Sequence, residues 1–529
     1  MITLKDLKIN NFWMVSSLFI IAKLLLHLFT NTNYELHRDE MLYFNMGDHL
    51  SFGYATVPPV IGFLAFLVKS FFWYSVFWIR FFPALIGAAS MFIIGKSVKA
   101  LRGGILALVL ASSSFLLSPG FLLFNSLFTP NVIEQFLWLL STYLILIMVS
   151  ENRPYLWIWI GILLGLSFLA KYSVVFFIVG FSAALLILNR KHFTSRYFIY
   201  AMIIGVTIIL PNIFWQINHG FPVITHMTEL KRNQLDNLSY VNFFTDVFSL
   251  NSVSTIIWVT GLFSFLFLKS ERKFSYLGSA SLIIILLILF SKGKGYYILG
   301  IIPFLFAAGG YIMEKYLKGR LVVITYLILA VSVFFSLVSL PFGLPVMSFE
   351  KLGVYMENTD KVSVYPFKRW EDGEVHNISQ VYADMTGWNE LAAYVSDTYR
   401  SLSDEEKATC TIFAEENYGV AGAIHFYGEN YNLPEPVTFI ESYIFWAPDS
   451  IPSGPIIYIN CRLNGFDNLF SSITENGCVN DKYFREKGMK VFLCKDPKQD
   501  IREIYRQKAI EKRSLYSPGS TNPVNQINN

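Results

Sequence analysis

The chain has 529 residues, 54% of them hydrophobic and 17% aromatic, but only 15% charged. A mean hydropathy of +0.46 and long uninterrupted apolar runs exclude an ordinary water-soluble globule and indicate a membrane protein. The formal charge of +4 is scattered, with no basic patch interleaved with aromatics, and this excludes nucleic acid as a partner.

A spanning helix needs about 20 largely apolar residues. By that measure about eleven spans are expected, at 12–31, 77–95, 104–123, 132–149, 154–170, 172–188, 197–217, 252–268, 274–290, 296–313 and 320–340. The first follows Lys5 and Lys8 without a small-residue cleavage site, so it reads as a retained anchor. The fifth and sixth are joined by Ala170-Lys171-Tyr172-Ser173 with almost no loop. Alternate connections carry Lys96, Lys99 and Arg102, then Arg153, Arg190, Lys191 and Arg196, Lys269, Arg272 and Lys273, and Lys315, Lys318 and Arg320. The positive-inside rule places these and the N-terminus in the cytoplasm. The longer, Lys/Arg-poor connections 32–76, 124–131, 218–251 and 291–295 are then outside, as is everything after Pro341.

Composition changes at Ser339–Pro345. Short apolar stretches at Cys410–Ala414 and Ile456–Ile459 alternate with helix-like runs at Trp388–Tyr399 and Val420–Tyr427. The expected fold class is therefore an α-helical polytopic membrane protein, residues 1–340, with a C-terminal extracytoplasmic α/β domain over 341–513. The tail, 514–529, is polar from Ser517 onward and expected to be disordered. All four cysteines, Cys410, Cys461, Cys478 and Cys494, fall in the outer domain. Disulfides and buried free thiols are both open, and the spacing fits no zinc pattern.

Acids at the mouth of a membrane bundle are costly and usually mark a site. Asp39 and Glu40 follow the first span in Tyr34-Glu35-Leu36-His37-Arg38-Asp39-Glu40, and Asp48, His49 and Val57-Pro58-Pro59 come after them. Asp39 either takes a proton from an acceptor hydroxyl or caps the helix that begins at Glu40. Residues Ile61–Trp73, with Lys69 among them, suit an interfacial helix. Lys292 and Lys294 flank glycines in a short outer loop beside Tyr296 and Tyr297, where they meet either a phosphate or lipid headgroups. Lys171 either faces a partner inside the bundle or snorkels to the surface. Glu134 is placed to face a cavity, while Lys23 faces protein with no assigned role. His219 and His226 read as loop histidines and Trp215-Gln216 as an interfacial anchor.

The first outer loop also resembles the start of the bacterial protein-mannosyltransferase-like superfamily, glycosyltransferase family 39 and its relatives. The matching passages are Glu35–Glu40, Gly53–Pro59 and Arg80–Gly87, then Gly165–Tyr172, Leu210–Pro222 and Lys292–Tyr297 with Pro303. In the outer domain they are Tyr382–Trp388 and Phe413–Ala423. The resemblance spans roughly residues 12 to 495, and the order of the passages is specific. It implies a GT-C fold in a bacterial inner membrane and a donor sugar on polyprenyl phosphate. It also implies catalysis on the outer face, with the Asp of the Asp-Glu pair, here Asp39 beside Glu40, as base. Physical reasoning agrees on the donor, because nucleotide sugars are cytoplasmic and an outward site needs sugar carried across on lipid. Direct displacement would invert the anomeric centre and leave a phosphate for cationic groups to stabilise. Arg38, Lys171, Tyr172, Lys292, Lys294, Tyr296 and Tyr297 are the expected donor-phosphate environment, and the acceptor is a lipid, a glycan or a protein.

Two departures stand out. Many relatives carry Asp where this chain has Asn131 after Thr129-Pro130. Lipid A aminoarabinose transferases carry Glu-Lys-Pro where this chain has Val57-Pro58-Pro59, so no essential metal is expected and divalent-metal dependence stays open. The alternative class is a transporter or flippase of polyprenyl-linked glycans, against which stand the lack of internal symmetry and the placement of the acids in a loop.

Overall fold

A computed structural model of the protein describes residues 4–361, 368–415 and 417–516. The tail expected to be disordered lies, from Ser517 onward, outside the described residues. The chain divides into two compact units. The first comprises the residues up to Asn31, Arg80–Asn212 and Leu230–Val346. The second comprises Thr32–Ile79, Ile213–Glu229 and the residues from Met347 onward. The segment Thr32–Ile79 thus shares a compact unit with the C-terminal segment.

Each apolar segment expected from sequence carries a helix, because a long apolar run can satisfy its backbone in lipid only by internal hydrogen bonds. Among the described residues, seven helices are long and apolar enough to cross a membrane: Asn11–Leu28, Val76–Ala100, Pro130–Ser150, Arg196–Asn218, Tyr240–Phe267, Lys269–Phe290 and Gly319–Gly343. The chain is a multi-pass membrane protein. Shorter apolar helices fill Ile105–Leu117, Leu156–Ala170 and Val174–Leu188. The segment 104–123 breaks into Ile105–Leu117 and Pro119–Phe124, since Pro119 favours the first helical turn and forces Ser118 extended (φ −69°, ψ 128°).

Packing in the bundle relies on small residues where backbones nearly touch. A β-carbon on Gly309 of the helix Ile302–Tyr316 would lie 1.9 Å from the Ile257 carbonyl oxygen, and one on Gly261 would lie 2.6 Å from that of Leu305. Gly309→Ala must therefore prise these helices apart. The expected cost is about 1–3 kcal/mol, readable as a lowered Tm of the detergent-solubilised protein with the unfolding transition intact.

The second unit contains a four-stranded sheet of order β1-β2-β4-β3, with β1 Thr411–Ala414, β2 Ile456–Asn460, β3 Phe470–Cys478 and β4 Lys490–Pro497. β1 and β2 are parallel and the other neighbours antiparallel, and Phe413, Tyr458 and Phe492 stand in register across the three strands. The helix Tyr418–Gly428 lies in the crossover from β1 and is buried from Gly419 to Gly428. It packs on the helix Arg38–Asn45, where Gly422 would place a β-carbon 3.1 Å from Met41 Cβ. The four cysteines are free thiols, Cys410 and Cys494 buried and Cys461 exposed.

The helix Val60–Phe72 buries Ile61, Gly62, Ala65 and Val68 and exposes Phe63, Phe66 and Phe71 with the following Trp73. Lys69 is folded back onto Asp48 and donates to Tyr74 Oη at 2.5 Å. Asp48 also meets His425 Nε2 at 3.1 Å, while Glu435 meets His49 Nε2 at 2.7 Å. Burial opposes the charge on Asp48, but His425 and Lys69 overcome it and hold its carboxyl down at about 2. A depressed carboxylate contributes stability that is present above its unfolded pKa of about 3.9 and lost as pH falls through the folded value. Asp48→Asn is expected to abolish that part of the acid-induced loss of Tm between about pH 4 and pH 2.

Candidate functional site

Local sequence explains how Asp39 is presented. His37 is extended and caps the helix Arg38–Asn45: its Nδ1 accepts from the Asp39 N–H at 3.1 Å, and Glu40 Oε2 accepts from the His37 N–H at 2.9 Å. This reciprocal cap leaves Asp39 free of capping duty. The alternative in which Asp39 itself caps the helix is not what forms. Glu40 is fully buried and is used to close the first turn under Asp39.

The Asp39 side chain is 36% exposed and sits within a balanced charge cluster. Tyr418 Oη donates to Asp39 Oδ1 at 2.8 Å. Arg38 Nε lies 3.9 Å from that same oxygen and 3.5 Å from Asp384 Oδ1. Asp384, only 2% exposed, also meets Arg485 Nη1 at 2.8 Å and His37 Nε2 at 3.5 Å. The Arg38 guanidinium stacks 5.1 Å above the Tyr418 ring. Two guanidiniums thus face two carboxylates. Burial pushes the Asp39 carboxyl up, but His37, Arg38, the Tyr418 hydrogen bond and Arg485 outweigh it and hold it below the usual carboxylate range. Tyr418 is pushed well up, by burial first and by Asp39 next, so it stays a donor.

Asp384, Tyr418 and Arg485 were missed by sequence reasoning. Asp384 and Tyr418 fall inside the passages Tyr382–Trp388 and Phe413–Ala423, singled out for resemblance but given no role. The available signal was an acid in the apolar setting Ala383-Asp384-Met385 and a Tyr beside Gly419, whose added β-carbon would lie 3.1 Å from Arg38 Cβ.

A second polar centre lies within the bundle unit. Lys171 is extended between the helices Leu156–Ala170 and Val174–Leu188 (φ −161°, ψ 134°), which aims its side chain inward instead of toward the surface. Its Nζ donates to Asn131 Oδ1 at 2.6 Å and lies 3.5 Å from Glu134 Oε2. The same Nζ stands 4.6 Å and 5.3 Å from the ring centroids of Tyr297 and Tyr296. Ser173 donates to the Glu134 carboxylate. Lysine snorkelling is therefore overturned, and Asn131, at the position of departure, is a ligand of this ammonium.

Residues 56–215 match the family model of dolichyl-phosphate-mannose-protein mannosyltransferase. A lipid A galacturonosyltransferase of Rhizobium johnstonii, RgtD, is 26% identical over 196 residues, a match spanning 36% of this chain and 41% of that relative's length. Across 91% of the chain the fold resembles ArnT of Cupriavidus metallidurans bound to undecaprenyl phosphate (98% of that chain), with a TM-score of 0.63 at 14% identity. The apo form of the same enzyme gives 0.62 at 14% identity, over 91% of this chain and 97% of that one. The chain shares the fold of these structures.

The remaining expected site residues are more dispersed. Tyr172 Oη donates to Asn212 Oδ1 at 3.1 Å. Lys292 has a left-handed backbone (φ 52°) and donates to the Asp236 carbonyl at 3.0 Å. Lys294 is half-buried and precedes the turn Gly295–Gly300 that carries Tyr296 and Tyr297. Gly293 and Gly295 have packing reasons: added β-carbons would lie 2.7 Å from Ile288 Cγ2 and 2.6 Å from Asp246 Cβ. Lys23 is buried and donates to the Phe121 carbonyl at 3.0 Å. Trp215 is buried and stacks on His219 at 4.2 Å. Among the described residues no three His, Cys, Asp or Glu side chains are arranged to hold a metal.

Proposed function

We propose that this protein is an integral-membrane glycosyltransferase that moves a sugar from polyprenyl phosphate to a lipid acceptor of the cell envelope, on the extracytoplasmic face and with inversion. The observation that carries the reading is Asp39: an ionised, accessible carboxylate whose capping duty is taken by His37 and whose charge is held by Arg38 and Tyr418. Such a group accepts the acceptor's hydroxyl proton as its oxygen attacks the anomeric carbon. Arg38 neutralises charge beside it, and Glu40 fixes the turn.

Lys171 is the leading cation for the leaving phosphate, because Asn131, Glu134, Tyr296 and Tyr297 hold an ammonium ready in a confined place. Lys292 and Lys294 add positive charge to the short connection that ends in those tyrosines. The bound undecaprenyl phosphate in the ArnT structure and the lipid A activity in the name of RgtD support the donor and acceptor classes. The aromatic face of Val60–Phe72 suits the membrane surface, where both lipids reside.

The test is incubation of the purified protein with a radiolabelled undecaprenyl-phosphate sugar and envelope lipid. Appearance of label in the acceptor lipid, with equimolar free undecaprenyl phosphate, is expected. Label that stays on the polyprenyl carrier, whether or not it crosses the bilayer of a proteoliposome, would refute transfer and leave a flippase.

A further inference from the structure

Glu441 belongs to the same compact unit as Asp39 and opens the turn Glu441–Phe445. Its backbone is left-handed, with φ 56°. Residues with a β-carbon rarely adopt that conformation, and it persists where neighbours over-determine it, often at functional sites. The neighbours do so here. The Ala55 N–H donates to Ser442 Oγ at 3.1 Å, and Asn45 Nδ2 donates to Tyr443 Oη at 3.0 Å. Both Ser442 and Tyr443 are buried. The stretch that begins with Asp39 therefore clamps the 441 turn at two points.

Glu441 Oε2 is buried with no hydrogen-bond partner among the described residues. Buried polar atoms usually find a partner, so this oxygen calls for an explanation. The titratable groups whose charge acts on it are Asp39 and Arg38, Glu229 from the helix Pro222–Asn233, Tyr418 and Tyr516, with Thr56 as a hydrogen-bonding neighbour. Burial pushes its carboxyl up to about 7; the Thr56 hydrogen bond opposes this, Asp39 and Glu229 add to it, and Arg38 opposes it. Asp39, in contrast, is held low. Two carboxyls in one field whose proton affinities are driven apart are how proteins divide acid and base roles.

We propose that Glu441 is the proton sink of the Asp39 centre. This rests on the reading of Asp39 as base. As the acceptor oxygen bonds to the anomeric carbon, the bond from that carbon to the phosphate oxygen breaks and its electron pair leaves on polyprenyl phosphate. The acceptor's proton passes to Asp39 and then to Glu441, which binds it more firmly and later releases it to water. No oxidant, metal or further reactant is needed.

Glu441→Gln in the full-length protein tests this, with kcat measured by release of undecaprenyl phosphate between about pH 5.5 and 9. Wild-type kcat is expected to fall as pH drops below about 7, where Glu441 starts out protonated. Glu441→Gln is expected to lower kcat at pH 8 by about 100-fold and to lose that limb. Gln mimics the neutral carboxyl in shape, so unchanged kcat with the limb retained overturns the proposal, as does a pH-independent loss that keeps the limb. Should Glu441→Gln fail to fold, Thr56→Val removes a hydrogen bond that favours the ionised form and must move the limb to higher pH; an unmoved limb refutes the sink. Full turnover in Glu441→Gln beside a dead Asp39→Asn would defeat only the sink, whereas turnover in Asp39→Asn would defeat the Asp39 reading itself.

Discussion

Asp39→Asn is expected to abolish transfer, lowering kcat by about 10²–10⁴-fold, the usual worth of a positioned base, while the protein stays folded. The substitution keeps an oxygen to accept from Tyr418 Oη and leaves the cap intact, because His37 and Glu40 make it. Arg38 retains Asp384 as counter-ion at 3.5 Å, so no guanidinium is stranded. A half-open ion pair such as Arg38–Asp39 contributes about 0–1 kcal/mol, so Tm should scarcely move. The measurement is turnover beside a thermal melt of the same preparation. Wild-type turnover in Asp39→Asn would remove the base from the mechanism.

The second large effect concerns Lys171. Lys171→Met leaves the carboxylate of Glu134, only 5% exposed, with the Ser173 hydroxyl but without its cation. Removing one partner of a buried pair typically costs about 3–5 kcal/mol, since the remaining charge is stranded. Both transfer and thermal stability are expected to collapse. Lys171→Met/Glu134→Gln separates the two causes: with neither charge present, Tm should return toward wild type. Transfer should stay absent, because the phosphate has lost its cation. Recovery of turnover together with Tm would show that Lys171 serves the bundle alone.

Lys171 also shows why sequence leaves such a choice open. Its position between two apolar runs was plain, yet an extended residue there can turn inward or outward. The direction is set by Asn131 and Glu134, two helices earlier in the chain, and by Tyr296 and Tyr297 far beyond it. The Asp-Glu pair was similarly visible, but its division of labour was not. His37 as a cap is uncommon, so the rule favouring Asp or Asn pointed to the wrong residue.

By itself, the sequence determined where the membrane helices lie, where the chain turns polar, and which loop carries the costly acids. Each of these depends on hydropathy and charge within a few turns of chain, which any fold must respect. Only the tertiary structure decided that Asp39 meets Tyr418 across 379 residues of chain, that Asp384 joins Arg38 to Arg485, and that the turn at Glu441 is clamped by Ala55 and Asn45 with one carboxylate oxygen unpartnered among the described residues. Such meetings are set by how the crossover after β1 returns to the first loop, and charges pair by distance in space, for which separation along a chain is no guide.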